Sequence, residues 1–273
     1  MSETKNNKAA KRISGFSSVI SFLVMALALI VGIIIYDKIF GDPANFIDGE
    51  LRGEPKENNF YGVIYKGGFI VPGLVAINII ILIFSLERMI TLLLANGKGN
   101  TRKFIVSIKE SLASGNYDSA IAACDKKKGS LANVVRAGVE KYRNVALDKS
   151  LDKEQKIEAV KKELDEATAL ELPMLSKNLS VLSTCASIAT LVGLIGTVLG
   201  MIRSFAAMSS GSPDTAALAT GISEALINTA FGITASTVAI IMYNVFTTRI
   251  DGITYGIDES GFTLTQSFAA NYK

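Results

Sequence analysis

Four apolar runs, each long enough to cross a bilayer, constrain this chain more than any other feature. A membrane helix needs roughly 20 mainly apolar residues. The runs are Phe16–Tyr36, Gly68–Leu86, Leu179–Met208 and Ala217–Phe246. Lipid offers no partner for backbone N–H and C=O groups, so each run must be a helix. The first follows Lys5, Lys8, Lys11 and Arg12, as a signal peptide would, but it is long enough to span. Asp37 and Lys38 follow it where a small-residue cleavage site would stand, so it reads as a retained span. The expected fold is an all-α membrane protein. It has four transmembrane helices, a helical cytoplasmic insert and a long third helix projecting into the cytoplasm.

Residue choice separates the four spans. The first two are dominated by Ile, Leu and Val and read as lipid-facing. The third and fourth are rich in Gly, Ala, Ser and Thr, which let helix backbones approach closely, and read as buried in a bundle. Lys and Arg set the orientation. The N-terminal tail packs four of them into eight residues, and the stretch between spans two and three carries many more. The segment between spans one and two mixes four with six acids. Both termini and the insert are therefore expected in the cytoplasm. The expected division is a basic tail 1–15, span one 16–36, an external segment 37–66 and span two 67–94. It continues with a cytoplasmic helical domain 95–178, span three 179–208, an external loop 209–216, span four 217–247 and a cytoplasmic tail 248–273.

Within the insert, Phe104, Ile105, Ile108 and Leu112 recur at helical spacing before Gly115. A second short helix ends by Gly129, and LANVVRAGVEKYRN reads as a third. A fourth begins after Asp152 and flows into span three, with Pro173 as the candidate kink. Its charges from Lys153 to Glu171 alternate in sign at i,i+4 spacing, as on a solvated face.

Several chemistries lack their usual residues. Histidine is absent, which removes the commonest general base and metal ligand. Cys124 and Cys185 form no metal-binding or redox pair and read as free thiols. The sequence offers no nucleophile–base pair, phosphate loop or metal cluster, so it reads as a non-enzyme without cofactor, and nothing points to nucleic acid.

One acidic residue stands apart. Arg88 and Arg249 sit at span ends and read as interface anchors, and Arg203 is placed to snorkel. Glu224 lies about seven residues into span four, roughly 10 Å deep at 1.5 Å per residue. A charged carboxylate there costs on the order of 2.5–3.5 kcal/mol. It must face a wet pore, pair with a cation or stay protonated. Thr220, Ser223, Glu224 and Asn228 share one side of the helix. In span three, Ser183, Thr190, Thr197 and Ser204 recur every seven residues, so their hydroxyls line one face. Gly193, Gly196 and Gly200 supply close-packing positions, the last two as GxxxG. A hydroxyl stripe facing a stripe with one carboxylate describes two helices lining a hydrated path. Ordinary packing accounts for the hydroxyls equally well.

At these residues the sequence resembles the MotA/TolQ/ExbB proton channel family. The likeness is carried by GLIGTVLGMIRSF (Gly193 to Phe205), by AxGISEALINTAFG (Ala219 to Gly232) and by Tyr243-Asn244. LER at Leu86 to Arg88 and the helix Ser114 to Cys124 are similar to the ExbB/TolQ branch. The resemblance implies a homopentameric ring in the bacterial inner membrane, built around helices of a single-span ExbD/TolR-type partner. It further implies proton flow that drives a TonB-type protein and outer-membrane transport. It places the pore glutamate on Glu224 and the pathway threonines on Thr197 and Thr229, although Thr229 lies well round the helix from Glu224. Thr190 and Val238 stand where many relatives have proline, and span one with the acidic segment is additional to the three-span plan. A TolQ-like envelope role, a MotA-like stator, a secondary transporter and a passive scaffold are the alternatives.

Overall fold

The computed structural model describes residues 18–51, 53–148, 150–209 and 214–271. The expectations for the basic tail 1–15, for Arg52 and for the centre of the external loop fall outside these residues. The described residues are all-α: beyond helices and turns they hold one isolated antiparallel bridge, Phe46 with Pro55. In chain order the α-helices are α1 Ser18–Ile35, α2 Phe60–Tyr65, α3 Val71–Ala95, α4 Thr101–Ala113, α5 Tyr117–Lys127, α6 Ser130–Leu147, α7 Lys153–Ser176, α8 Leu179–Ser209 and α9 Thr215–Asn271. Among the described residues, four helical stretches are long and apolar enough to cross a membrane, which makes the chain a multi-pass membrane protein: Val19–Phe40, Gly68–Ala95, the α7–α8 stretch and α9. The chain divides into two compact units, residues 16–86 with 178–244, and residues 87–177 with 245 onward.

In the first unit, span one ends in a π-helical turn, Tyr36–Phe40. Asn45 satisfies the end of that helix, its amide donating to the carbonyls of Ile39 at 2.7 Å and Phe40 at 3.1 Å. Asn59 donates to Asn45 at 3.0 Å and caps α2 through its own Oδ1. Tyr36 stacks on Tyr65 at 4.7 Å, and Phe40, Ile64, Val71 and Val75 close a small core beneath. The additional acidic segment is thus folded back onto the ends of spans one and two.

Burial corrects the expected division of the spans. Span two is the most enclosed of the four, with Val71, Leu74, Ile81 and Phe84 essentially inaccessible. Spans three and four bury mainly their small-residue seam, together with Leu182 and Phe246. Leu191, Leu194, Ile195 and Val198 on one, and Leu226, Ile233 and Ile241 on the other, are exposed. The Ile- and Leu-rich composition of span two reflects internal packing, not lipid contact alone.

The second unit contains the helices that periodicity predicts. Phe104, Ile108 and Leu112 are buried on α4. Asn100 and Asn116 cap α4 and α5, and Asp152 with Gln155 forms a capping box at the start of α7. Pro173 stays inside α7. The break falls instead at Lys177–Asn178, where Asn178 adopts a left-handed φ of 61°. Asparagine tolerates that conformation better than most residues. The solvated-face expectation for α7 is only partly met. Lys156 and Glu171 are buried beside Val160 and Leu164, and Asn133 donates to Glu171 at 2.8 Å. The tail after residue 247 continues α9 as helix. Ile253, Ile257, Leu264 and Phe268 are buried, and Phe268 meets Tyr142 edge-on at 4.3 Å.

Cys124 is one of two free cysteines, and burial, with Asp125 adding, pushes its thiol up to about 12. An ordinary cysteine titrates near 9.0, so Cys124 holds roughly a thousandfold less thiolate at neutral pH. The folded protein should therefore resist alkylation at Cys124 at pH 8, with a rate still climbing beyond pH 9. Mass spectrometry of peptides from pulse-alkylated protein reads this directly. Labelling at the rate of the unfolded chain would contradict it.

Candidate functional site

Spans three and four meet along a seam of small residues. A Cβ on Gly193 would lie 2.9 Å from the Asn228 carbonyl oxygen, and one on Gly200 would lie 2.6 Å from that of Gly221. Gly196 faces a side chain instead of a backbone atom. A side chain there would collide with the Asn228 side chain, at 2.6 Å from Cγ and 2.8 Å from Nδ2. The three glycines let the helix backbones approach this closely.

The seam fixes the rotation of both helices, and thereby places every polar residue. Thr197, Thr190 and Ser183 lie about 100–140° round α8 from Gly196, at about 100° per residue. Ser183 and Thr190 are exposed and line an open cleft with Ser187, Ser236 and Tyr243. Thr197 and Thr229 are half-buried, and their hydroxyls donate to carbonyls of their own helices, Leu194 at 2.6 Å and Ala225 at 3.2 Å. Thr229 is about 140° from Glu224. Thr220 is exposed and bonded to Ala216 at 2.9 Å. The expected facing of a hydroxyl stripe and a carboxylate stripe is not what forms. The hydroxyls of Ser183 and Thr190 open onto one side of the seam, and Glu224 lies toward the other. The deviation is physical: Gly193, Gly196 and Gly200 face span four, and helical geometry turns Ser183, Thr190 and Thr197 away from that line, while Ser204 sits in the seam against Gly221.

On that other side, Glu224 and Asn228 are buried, at 3% and 0% exposure. They stand one helical turn apart, beneath the head of span two. Gly68, at φ 75°, occupies the space above the carboxylate. A Cβ there would strike Glu224 Oε1, and the left-handed φ independently favours glycine. Asn228 Nδ2 donates to the Gly67 carbonyl at 2.8 Å. Arg203 does not snorkel away. Its Nη1 donates to both carboxylate oxygens of Glu224, at 2.7 and 2.6 Å, with the guanidinium 5.7 Å from the Phe69 ring centre. The arginine side chain remains 52% exposed and the glutamate 5%. Of the three ways to hold a membrane carboxylate, the protein uses a counter-ion. Sequence reasoning missed this pairing because the partners lie on different helices, 21 positions apart.

In the second unit, Arg88 is the other departure. It was expected as an interface anchor, but it is fully buried. Its Nε and Nη2 donate to Glu87 at 2.6 and 2.5 Å, and its Nη1 donates to the Leu175 carbonyl near the end of α7 at 3.3 Å. Arg249 is exposed.

The profile of the MotA/TolQ/ExbB proton channel family matches residues 126–259, which include the seam, Arg203, Glu224 and Asn228. The chain is 42% identical over 87 residues to the putative biopolymer transport protein ExbB-like 3 of Synechocystis, covering 30% of this chain and 41% of that protein. It is 35% identical over 117 residues to the Tol-Pal system protein TolQ of Pseudomonas aeruginosa, covering 42% and 51%. It is 27% identical over 198 residues to a putative biopolymer transport protein ExbB homolog of Methanothermobacter thermautotrophicus, covering 71% and 66%. The chain thus spans about half, or less, of the length of the first two relatives. The segment that builds the glycine seam and the buried carboxylate thus matches the MotA/TolQ/ExbB proton channel family.

Proposed function

We propose that the chain is an ExbB/TolQ-like subunit of an inner-membrane motor driven by the proton-motive force, with both termini in the cytoplasm. In this reading Glu224 takes up and releases protons, and Thr197 and Thr229 line the path between subunits of a ring. The ring, a pentamer by family resemblance, surrounds the helices of a single-span ExbD/TolR-type protein. Through a TonB-type protein it energises outer-membrane transport. The observation that carries the reading is a carboxylate 3% exposed in a membrane helix, held by an arginine that is itself half open to its surroundings. Glu87, by contrast, is paired with a cation that is itself fully buried. The exposed apolar rows of spans three and four support assembly, because they give neighbouring subunits and partner helices surfaces to pack on.

A TolQ-like role in envelope maintenance is the second reading. The match to the Pseudomonas aeruginosa Tol-Pal system protein TolQ, 35% identical over 117 residues, supports it. Co-purification tests the common core of both readings. The chain is expressed with whatever single-span membrane protein is encoded beside it, and the complex is weighed by native mass spectrometry. The expected result is several copies of this chain with the partner bound. A monomer that captures no single-span protein would overturn the motor reading.

A further inference from the structure

Asn228 carries an unexplained acceptor. Its side chain is fully buried, and its Nδ2 donates to the Gly67 carbonyl at 2.8 Å. That carbonyl can only accept, so the amide is oriented by chemistry, and Oδ1 is the atom left over. Oδ1 is buried and has no hydrogen-bond partner among the described residues. Leaving a buried acceptor unpaired is costly, and such groups call for a specific explanation. Glu224 lies four residues earlier on α9. At that spacing Cβ atoms stand about 5–6 Å apart on one face. Both side chains are covered by the same Gly67–Gly68 turn. An ionised carboxylate has no proton to offer Asn228, whereas a carboxylic acid has one.

We infer that Asn228 is the hydrogen-bond partner of Glu224 in its protonated form, as Arg203 is its partner in the ionised form. The inference rests on the reading of Glu224 as the proton-carrying group. Among the described residues, the charged and titratable groups facing Glu224 are Arg203 from span three and Tyr36 from the end of span one. The head of span two contributes the backbone of Gly67 and Gly68.

The step balances without any further reactant. A proton from the aqueous phase adds to one oxygen of Glu224, forming an O–H bond. The two charge-assisted bonds from Arg203 Nη1 are lost. The guanidinium keeps its charge and turns to the surroundings that already reach half of its side chain. The new O–H donates to Asn228 Oδ1. Release reverses each move, and no electrons are transferred. Asn228 is a positioning residue. It gives the neutral acid a defined place, so that loading the proton and freeing Arg203 become one event.

Infrared difference spectroscopy across a pH titration, on the complex in lipid nanodiscs, tests this. In the wild type one carboxylic-acid C=O band should vanish in Glu224→Gln and lie where hydrogen-bonded acids absorb. Asn228→Ala should move that band to higher wavenumber and slow proton flux about tenfold, the scale of one lost hydrogen bond. Asn228→Ser, which retains an accepting oxygen in a smaller side chain, should keep the band near its wild-type position. A Glu224 band unmoved in Asn228→Ala, or shifted equally in both variants, overturns the inference and leaves the proton role of Glu224 standing. If no band assignable to Glu224 appears at any pH, the inference and the reading beneath it both fall.

Discussion

On the proposed motor reading, Glu224→Gln is expected to abolish proton-driven work by the assembled protein while leaving the chain folded in the membrane. Glutamine matches the shape of glutamate. Its carbonyl oxygen can still accept from Arg203, and its amide can donate to the buried Asn228 Oδ1. It cannot carry a proton. Losing a positioned proton-transfer group typically costs a factor of about 10²–10⁴, so coupled activity should fall to background. The transmembrane potential supplies about 2.3 kcal/mol per charge per 100 mV, a modest impulse per proton that only an obligatory carrier can convert into movement. The check is partner-dependent growth on a substrate that needs energised outer-membrane uptake, with membrane levels of the variant verified. Normal growth at normal expression would remove Glu224 from the proton path.

The second large effect concerns stability. Arg88→Leu strips the Glu87 carboxylate, buried at 9% exposure, of two guanidinium bonds, and takes a donor from the Leu175 carbonyl. Thr91, which donates to Glu87 at 3.2 Å, remains. Breaking one partner of a buried ion pair costs about 3–5 kcal/mol, because the other charge is left in a poor solvent. Replacing both, Glu87→Leu with Arg88→Leu, should recover most of that loss, since neither charge then remains. Thermal unfolding of the purified protein in detergent would show the single variant far below the wild type and the double variant close to it. A single variant as stable as the wild type would mean the pair is not closed to water. The comparison also separates the two arginines. Arg88 is sealed and expected to act through stability, whereas Arg203 is half exposed and expected to act through proton exchange.

The spans and the helices of the insert were legible because they depend on local order. An apolar run of fixed length must be a helix in lipid, and a 3.6-residue period must bury one face. The close approach at Gly193, Gly196 and Gly200 was legible for the same reason, since small residues at that spacing have few other uses. The rotation of the spans was not. Whether Thr197 and Glu224 face one path depends on which residues form the seam, and that is decided between helices. The same limit hid the Arg203–Glu224 pair. Arg88 was misplaced by a default: a charge near a span end usually reaches for water, and here α7 provides a carbonyl instead. The helix after residue 247 was missed although Ile253, Ile257, Leu264 and Phe268 follow helical spacing, because no hydropathy signal drew the eye there. The orphan Asn228 oxygen is visible only in three dimensions, where the Gly67 carbonyl claims the other half of the amide.

Proton flux settles the matter most directly. The complex of this chain with the proposed single-span partner is reconstituted into liposomes carrying an internal pH dye, and an imposed pH gradient is allowed to decay. Wild-type complex should dissipate the gradient well above empty vesicles, and the Glu224→Gln complex should be indistinguishable from them. Equal dissipation by both complexes would contradict a proton route through that buried carboxylate.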